Sequence, residues 1–192
     1  MARQRVLVLV LLSLLLVLAA VLFFLNGAGE SAGTQDDSLF SGETPPPPGE
    51  SEMKKVVLFF PSGSDGLLHP EERSIVSGPS TEREARCLVE ELIKGSRGSL
   101  VSPLPPESQV RQVFITRDGT AVVDFSREFS DRHPSGSTAE MATVYCLVNS
   151  LAFNFKSIKK VFILVNGSEK ETLGGHISLA EPFLPFYSLV AE

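Results

Sequence analysis

Three carboxylates lie close together in the stretch "VFITRDGTAVVDFSREF", Val113–Phe129: Asp118, Asp124 and Glu128. Two acids can do general acid–base chemistry when both line one pocket within reach of a substrate. Asp118, however, precedes Gly119 in an Asp-Gly pair typical of a tight hairpin turn, where its short polar side chain favours the turn backbone. We therefore interpret Asp118 as a structural residue.

Asp124 and Glu128 lie at and just beyond the end of a predicted strand. No His, Cys or Lys accompanies them at a spacing typical of a catalytic site. We expect Asp124 to cap a turn or hydrogen-bond the local backbone and Glu128 to be solvated. Phe125 and Phe129 in the same stretch are predicted core residues. The sequence thus predicts no catalytic residues and a chain that is not an enzyme.

The three histidines, His69, His133 and His176, all lie in loop-like stretches. None is paired with another ligand at the close spacing that zinc sites normally have, so no metal site is predicted. The chain also has no phosphate-binding Gly-Lys-Ser/Thr loop and no Gly-x-Ser-x-Gly nucleophile elbow. No cofactor is therefore expected.

The two cysteines, Cys87 and Cys146, each lie in the middle of a predicted helix but off its apolar stripe. We expect both to face away from the sheet. An even number of cysteines in an oxidising compartment permits a disulfide, which requires Cα atoms within about 7 Å of each other. A disulfide and two free thiols both stay open.

An uncharged apolar run, "VLVLVLLSLLLVLAAVLFFL", occupies residues 6–25. About 20 apolar residues are needed to cross a bilayer as a helix, whereas the apolar core of a cleaved signal is about 7–15 residues long. The run therefore predicts an N-terminal transmembrane anchor. A cleaved signal ending in the small residues at 27–29, and hence a secreted protein, is the alternative.

The charges that flank this run predict its orientation. Arg3 and Arg5 precede it, and residues 26–52 contain six acids and no Lys or Arg. Residues 1–5 are therefore expected in the cytoplasm and the remainder outside it, in a single-pass protein of the inner membrane. From Met53 onward, the chain has 15 basic and 17 acidic residues. This balance argues against a nucleic-acid partner.

Residues 26–53 are rich in Gly, Ser, Pro and acids, a composition that predicts a disordered linker. The run Pro45–Pro48 within it favours a short, stiff polyproline segment. The folded domain is expected over residues 54–192.

Within that domain, strands are predicted at 54–61, 73–78, 110–116, 120–125 and 159–167. Helices begin at Thr81 and Ser137, each followed three residues later by a Glu in a capping box. The predicted apolar stripes are Ala85, Leu88, Val89, Leu92 and Ile93 in the first helix and Met141, Val144, Tyr145, Val148, Leu151, Ala152 and Phe155 in the second. The order β-α-β-β-α-β predicts an α+β two-layer sandwich, with two helices on one face of a single mixed sheet. The tail, residues 174–192, has no clear assignment.

Six segments in this order resemble the GerMN domain of GerM-like spore-germination proteins: "VVLFFP", "LLHPEERSI", "EARCLVEELIKGS", "VRQVFITRDGTAVVDFSREF", "VFILVNG" and "LGGH". The resemblance covers residues 54–179, with Ser96 where the family often has Pro. It implies an exported, non-enzymatic envelope domain associated with sporulation and germination, anchored by a lipid or a single helix. It also implies a likeness to ring-building motifs of secretion and sporulation complexes.

The predicted function is therefore a membrane-anchored, periplasmic interaction or assembly module. Its expected partners are envelope proteins, further copies of itself or peptidoglycan, and its contact surface a helix face or an edge strand. Two alternatives stay open. One is a peptidoglycan hydrolase using Asp124 or Glu128, and the other is a small-ligand module with an apolar pocket of at least ~300 Å³ between sheet and helices.

Overall fold

The computed structural model describes residues 52–191, in which two small β-sheets pack with three α-helices. In chain order the elements are β1 (Met53–Pro61), β2 (Leu68–Val76), α1 (Thr81–Ile93), β3 (Val110–Ile115), β4 (Thr120–Phe125), α2 (Glu128–Asp131), α3 (Ser137–Asn154) and β5 (Lys160–Val165). The predicted mixed α+β class is confirmed.

The first sheet has two strands, β1 and β2, which pair antiparallel from Met53 opposite Val76 to Pro61 opposite Leu68. Three alternate side chains of β1, Val56, Leu58 and Phe60, belong to the main core cluster, as the pleat of a strand requires. β2 begins five residues before the predicted strand at 73–78. Its first five residues escaped detection because Pro70 and the two glutamates that follow it are of types depleted in strands, although an edge strand such as β2 tolerates them.

The second sheet has the strand order β3-β4-β5, with β4 antiparallel to β3 and parallel to β5. All six residues of β4 are buried, which is expected for a central strand. The five strands therefore form two sheets, and the predicted single mixed sheet is wrong.

The β3–β4 hairpin closes where Thr116 N–H donates to Thr120 O (2.9 Å), and Gly119 takes the left-handed conformation (φ +87°). The Asp118 carboxylate accepts from Thr120 Oγ1 (3.0 Å) and lies 3.1 Å from Lys160 Nζ. These contacts agree with the turn role expected for Asp118, although its own φ is not positive.

Helix α1 begins at the predicted residue, but its cap differs. Ser80 is the N-cap, and its Oγ accepts from Arg83 N–H (3.3 Å). Glu84 accepts from Gly78 N–H (3.3 Å) and from Lys54 Nζ (2.6 Å), so it ties the helix start to β1. The predicted apolar stripe is buried apart from Ile93, which is half-buried.

Helix α3 explains why there are two sheets. Val57 N–H donates to Asn154 Oδ1 (2.9 Å), Asn154 Nδ2 donates to Val57 O (2.6 Å), and Phe59 N–H donates to Ser150 Oγ (2.9 Å). Side chains of α3 thus take the place that a neighbouring strand would have along β1. Accordingly α3 is buried on most of its circumference, with polar residues among the buried ones, and not on a single stripe.

The tail, which the sequence left unassigned, crosses α3 from one sheet to the other. Phe183 exchanges two backbone hydrogen bonds with Val161 on the outer edge of β5 (2.9 and 2.8 Å). Asn149 then holds both backbone groups of Phe186, at 2.8 and 3.0 Å. Finally Ala191 N–H donates to Leu68 O of β2 (2.9 Å).

The predicted anchor at 6–25 and the predicted linker up to residue 51 lie outside the described residues, whereas Met53 already belongs to β1. Among residues 52–191, no helix has both the length and the apolar character required to span a membrane.

Candidate interaction site

Asp124 is buried at the end of β4 and serves the fold. Its Oδ1 accepts from Gly167 N–H (2.8 Å), and its Oδ2 lies 3.6 Å from Arg111 Nε. Arg111 in turn donates to Asn166 Oδ1 (2.9 Å). Asp124 therefore joins β4 to the Asn-Gly turn that follows β5, a backbone contact as expected but 43 residues away and not local.

Glu128 is half-exposed at the start of α2, with one carboxylate oxygen 3.3 Å from Arg127 Nε. A hydrogen bond from the Ser126 side chain is the main cause that lowers the pKa of Glu128. Neither Glu128 nor Asp124 lines either of the two cavities described below. Within residues 52–191, the structure thus gives the two acids separate contacts.

The histidines also have structural partners. His69 Nε2 lies 2.8 Å from Asp65 Oδ2 at the surface, and His133 Nε2 lies 2.7 Å from Thr143 Oγ1. Burial lowers the pKa of His133. Within residues 52–191, no group of three His, Cys, Asp or Glu side chains is arranged to hold a metal ion.

Both cysteine thiols are free. Cys87 is half-buried, and Cys146 is fully buried in the core, where burial raises the pKa of its thiol. The expectation that both face away from the sheet is therefore wrong for Cys146. The reason is that α3 is also buried on the side that carries Cys146, away from its predicted stripe.

Arg73 connects two of the quoted motifs, the "PEER" of β2 and the Leu92-x-x-Gly95 end of α1. Its side chain is 1% exposed, and its guanidinium donates to Gly95 O (2.8 Å) and forms an ion pair with Glu71. Glu91 Oε2 lies 3.7 Å away as a second, weaker partner. Each buried charge of this cluster has a partner inside the fold, as stability requires.

Glu140 explains the "LGGH" motif. The expected capping box at Ser137 does not form, because the Glu140 side chain is fully buried and points to the loop at the start of the tail. Its carboxylate accepts from His176 N–H (3.1 Å) and Ile177 N–H (2.8 Å) and lies 2.8 Å from His176 Nδ1. Gly174 is required there, since a Cβ would lie 2.8 Å from Glu140 Oε1.

A groove of about 660 Å³ lies open at the surface of the described residues. The β1–β2 turn, the loop at 101–103 and the start of α3 form its walls, and Leu189 of the tail closes one side. Its lining residues include Pro61, Leu68, Val101, Pro103, Met141, Tyr145 and Leu189, and none of the lining residues is charged.

The apolar surface continues from the groove onto the tail. Tyr145, which lines the groove, contacts the ring of Phe186 with centroids 5.6 Å apart. Phe186, Tyr187 and Leu184 are all exposed, as are Val101 and Met141 within the groove. Sequence reasoning missed this surface, since it assigned Met141 to a buried stripe and gave no role to the loop or the tail.

Comparison with known proteins identifies the family. The sequence model of the family described as "Germane: Sporulation and spore germination" matches residues 57–171, more than half of the 192 residues. The chain belongs to the Germane family. None of the curated proteins compared with it matches in sequence.

Solved structures agree with this Germane assignment. The first GerMN domain of the sporulation protein GerM from Bacillus subtilis is 25% identical with a TM-score of 0.52, over 70% of this chain and 97% of that one. A candidate lipoprotein from Clostridium perfringens is 26% identical (TM-score 0.51; 69% and 87% coverage). The tandem GerMN domains of GerM are 23% identical with a TM-score of 0.54. This match covers 70% of this chain and 46% of that one, and it shows similarity of fold alone. The predicted GerMN resemblance is thereby confirmed.

The Germane match contains Arg73, Asp124 and Glu140, the buried charged residues that connect distant segments. It ends before the tail, so Leu189 and the exposed residues from 184 onward lie outside it. The groove is therefore built jointly by the family domain and by a segment that follows it.

Proposed function

We propose that this Germane domain is a non-catalytic interaction module of the cell envelope, and that its groove binds an uncharged, apolar segment of an envelope partner. The observation that carries the proposal is the groove of about 660 Å³ without a charged lining residue. A charged segment would lose its hydration there without gaining a partner, which costs several kcal/mol. Exposed apolar surface continuous with a groove is typical of protein-binding surfaces.

The relatives and the N-terminal sequence support the proposed process and location. The family description, sporulation and spore germination, supports a role in one of those processes. Similarity to a sporulation protein and to a candidate lipoprotein supports a position at the membrane, where the apolar run at 6–25 would hold the chain. Further copies of the chain and peptidoglycan are the other partners considered.

Photocrosslinking in intact cells tests the groove. Met141 and Phe153 are exposed apolar residues of the same helix, 40% and 53% exposed, and only Met141 lines the groove. A photoreactive residue at position 141 of the full chain is expected to form a defined adduct that disappears when Val101→Asp is added. The same probe at position 153 is the matched control. Equal adducts from both positions, or an adduct insensitive to Val101→Asp, would refute the proposed site.

A small apolar ligand is the second candidate, because the groove volume lies within the range of about 300–1,000 Å³ common for small-molecule sites. The groove lies at the β1–β2 turn and the start of α3, however, and not between sheet and helices as the sequence predicted. Mass spectrometry of the intact chain released gently from membranes distinguishes the two. A bound small molecule lost in Val101→Asp would favour the ligand, and its absence together with a protein adduct would favour the interaction module.

A further inference from the structure

The outer edge of β3 is open for strand pairing. Thr116 N–H pairs with Thr120 O, and backbone pairs alternate along an antiparallel ladder. Val113 and Ile115 therefore direct their N–H and C=O groups away from β4. Within residues 52–191 these four groups have no hydrogen-bond partner, and Phe114 between them is 41% exposed.

The other strand edges differ from this one. Asn154 and Ser150 cover the outer edge of β1, and Phe183 pairs with the outer edge of β5. The outer edge of β2 includes Pro70, which has no N–H to offer, a common protection against unwanted strand pairing. In contrast, β3 and the two residues that follow it, 110–117, contain no proline.

A cavity of about 360 Å³ adjoins the beginning of this edge. It is lined by Arg86, Glu90 and Ile93 of α1, by Lys94 just after the helix and by residues 108–110. Ser108 is 4% exposed, and its Oγ has no hydrogen-bond partner in residues 52–191. A buried hydroxyl without a partner costs about 1–3 kcal/mol, so this group is expected to be satisfied by something that enters the cavity.

The Arg86 guanidinium limits how far strand pairing can extend. It donates to Val110 O (2.7 Å) and to Arg111 O (3.1 Å), which occupies these two carbonyls. A strand added along Val113 and Ile115 would therefore leave the edge near Arg111. The cavity with Ser108 lies at that point.

The charge around the edge favours an acidic partner. Four basic residues, Arg86, Lys94, Arg111 and Arg117, stand on β3, its following turn and the cavity wall, against two acids, Glu90 and Asp118. Asp118 is paired with Lys160 at 3.1 Å, and the acids that pair with Lys94 and Arg111 are buried, so the exposed charge along the edge is mainly basic. Glu90 is already paired with Arg86 at 2.9 Å. Complementary charge raises the association rate and fixes the register of a docking segment.

We propose that the β3 edge binds an extended, acidic segment of another protein as an added strand, with one of its carboxylates accepting from Ser108 Oγ in the cavity. Backbone pairing with Val113 and Ile115 supplies affinity, and the basic flank selects the acidic sequence. This surface is distinct from the groove and adds a second binding site to the proposed interaction module.

The test uses the full chain in detergent and two fluorescent probe peptides, acetyl-(Glu-Val)₃-Glu-amide and its Lys-for-Glu counterpart, followed by fluorescence anisotropy. The acidic peptide is expected to bind, and its binding should weaken at high salt. The basic peptide is expected not to bind. Val113→Pro, which removes an outward N–H, should weaken binding by about tenfold or more. Glu72→Pro on the β2 edge, also outward-facing, is the matched control and should leave binding unchanged.

Ser108→Ala and Lys94→Glu provide variants that do not touch the strand backbone. Each is expected to weaken binding of the acidic peptide by about 3–10-fold, since Ser108→Ala removes one hydrogen bond and Lys94→Glu reverses one basic charge. Met141→Asp in the groove should have no effect, so failure of the groove proposal is distinguishable. No binding at about 1 mM peptide, equal binding of both peptides, or unchanged binding in Val113→Pro would overturn the proposal. So would self-association that Val113→Pro abolishes without any peptide present, because it would assign the edge to a second copy.

Discussion

Glu140 and His176 meet across 36 sequence positions, with Glu140 Oε1 lying 2.8 Å from His176 Nδ1. The carboxylate is fully buried near the start of α3, and the His176–Ile177 backbone donates two further hydrogen bonds to it. This contact fixes the start of the tail, and the tail completes the groove through Leu189. A buried acid thus determines the shape of a surface that it does not itself line.

Replacing Glu140 with Gln should destabilise the domain. The amide cannot accept from all three donors, and its own N–H groups face backbone donors, so about 2–4 kcal/mol of unfolding free energy should be lost. Urea denaturation of the full chain measures this loss. Glu107→Gln, at an exposed acid, is the control and should change stability by less than about 0.5 kcal/mol. Equal stabilities of the two variants would contradict the role assigned to Glu140.

The same carboxylate predicts a pH dependence. Burial would raise the pKa of Glu140, but hydrogen bonds from Ile177 and His176 outweigh it and lower the pKa from 4.5 to about 2. In this interval the unfolded state binds the proton more readily, so the contribution of Glu140 is fully present above pH 4.5 and lost as the pH falls toward 2.

Other acids with lowered pKa values, such as Glu71 and Glu84, contribute in the same direction. The informative quantity is therefore the difference in unfolding free energy between wild type and Glu140→Gln. That difference should be constant above pH 5 and shrink as the pH approaches 2. A constant difference across the whole range would show that Glu140 stabilises the fold in some other way.

Arg73→Met should cost about 3–5 kcal/mol, because it leaves Glu71 and the Gly95 carbonyl without their buried cation. Arg97, whose side chain is 69% exposed beside Glu91, is the control. Arg97→Met should cost at most about 1 kcal/mol, as an exposed ion pair does. Thermal unfolding followed by circular dichroism compares the two, and similar midpoints would contradict the importance of the buried cluster.

The two asparagines of α3 allow a matched test of the tail. Asn149 holds the backbone of Phe186, whereas Asn154, five residues later, holds the backbone of Val57 in β1. Asn149→Ala should speed amide hydrogen exchange in residues 183–191 by about tenfold or more without affecting β1, since local opening then costs less. Asn154→Ala should speed amide hydrogen exchange in β1 without affecting residues 183–191. If both variants loosen the same segment, the tail is not held by Asn149.

The sequence predicted most local elements, and the reasons are physical. The start of α1 and its buried stripe were predicted because one face alone is buried, which leaves a clear 3.6-residue period in Leu88, Val89 and Leu92. The β3–β4 hairpin was predicted because Asp118-Gly119 marks a turn between two β-branched runs.

What the sequence could not predict are contacts between distant residues. Ser150 and Asn154 look like ordinary polar residues of a helix. They hydrogen-bond the outer edge of β1, however, and so divide the strands into two sheets. Glu140 fits a capping box by spacing, but tertiary contacts with the "LGGH" loop take its carboxylate. The groove combines a loop, a helix start and the tail, and no local pattern marks surfaces of that kind.

A hydrolase would have to use Asp124 and Glu128. Substitution of these two acids should lower the unfolding free energy by different amounts. Asp124→Ala removes the acceptor of Gly167 N–H and the partner of Arg111, so it should cost about 1–3 kcal/mol. Glu128→Ala changes a half-exposed residue paired with Arg127 and should cost less than about 0.5 kcal/mol. Urea denaturation provides both values, and incubation of the wild-type chain with purified peptidoglycan provides the functional control. Release of muropeptides by the wild type that is lost in Glu128→Ala at unchanged stability would restore the hydrolase hypothesis, because an acid without a structural role would then be required for turnover.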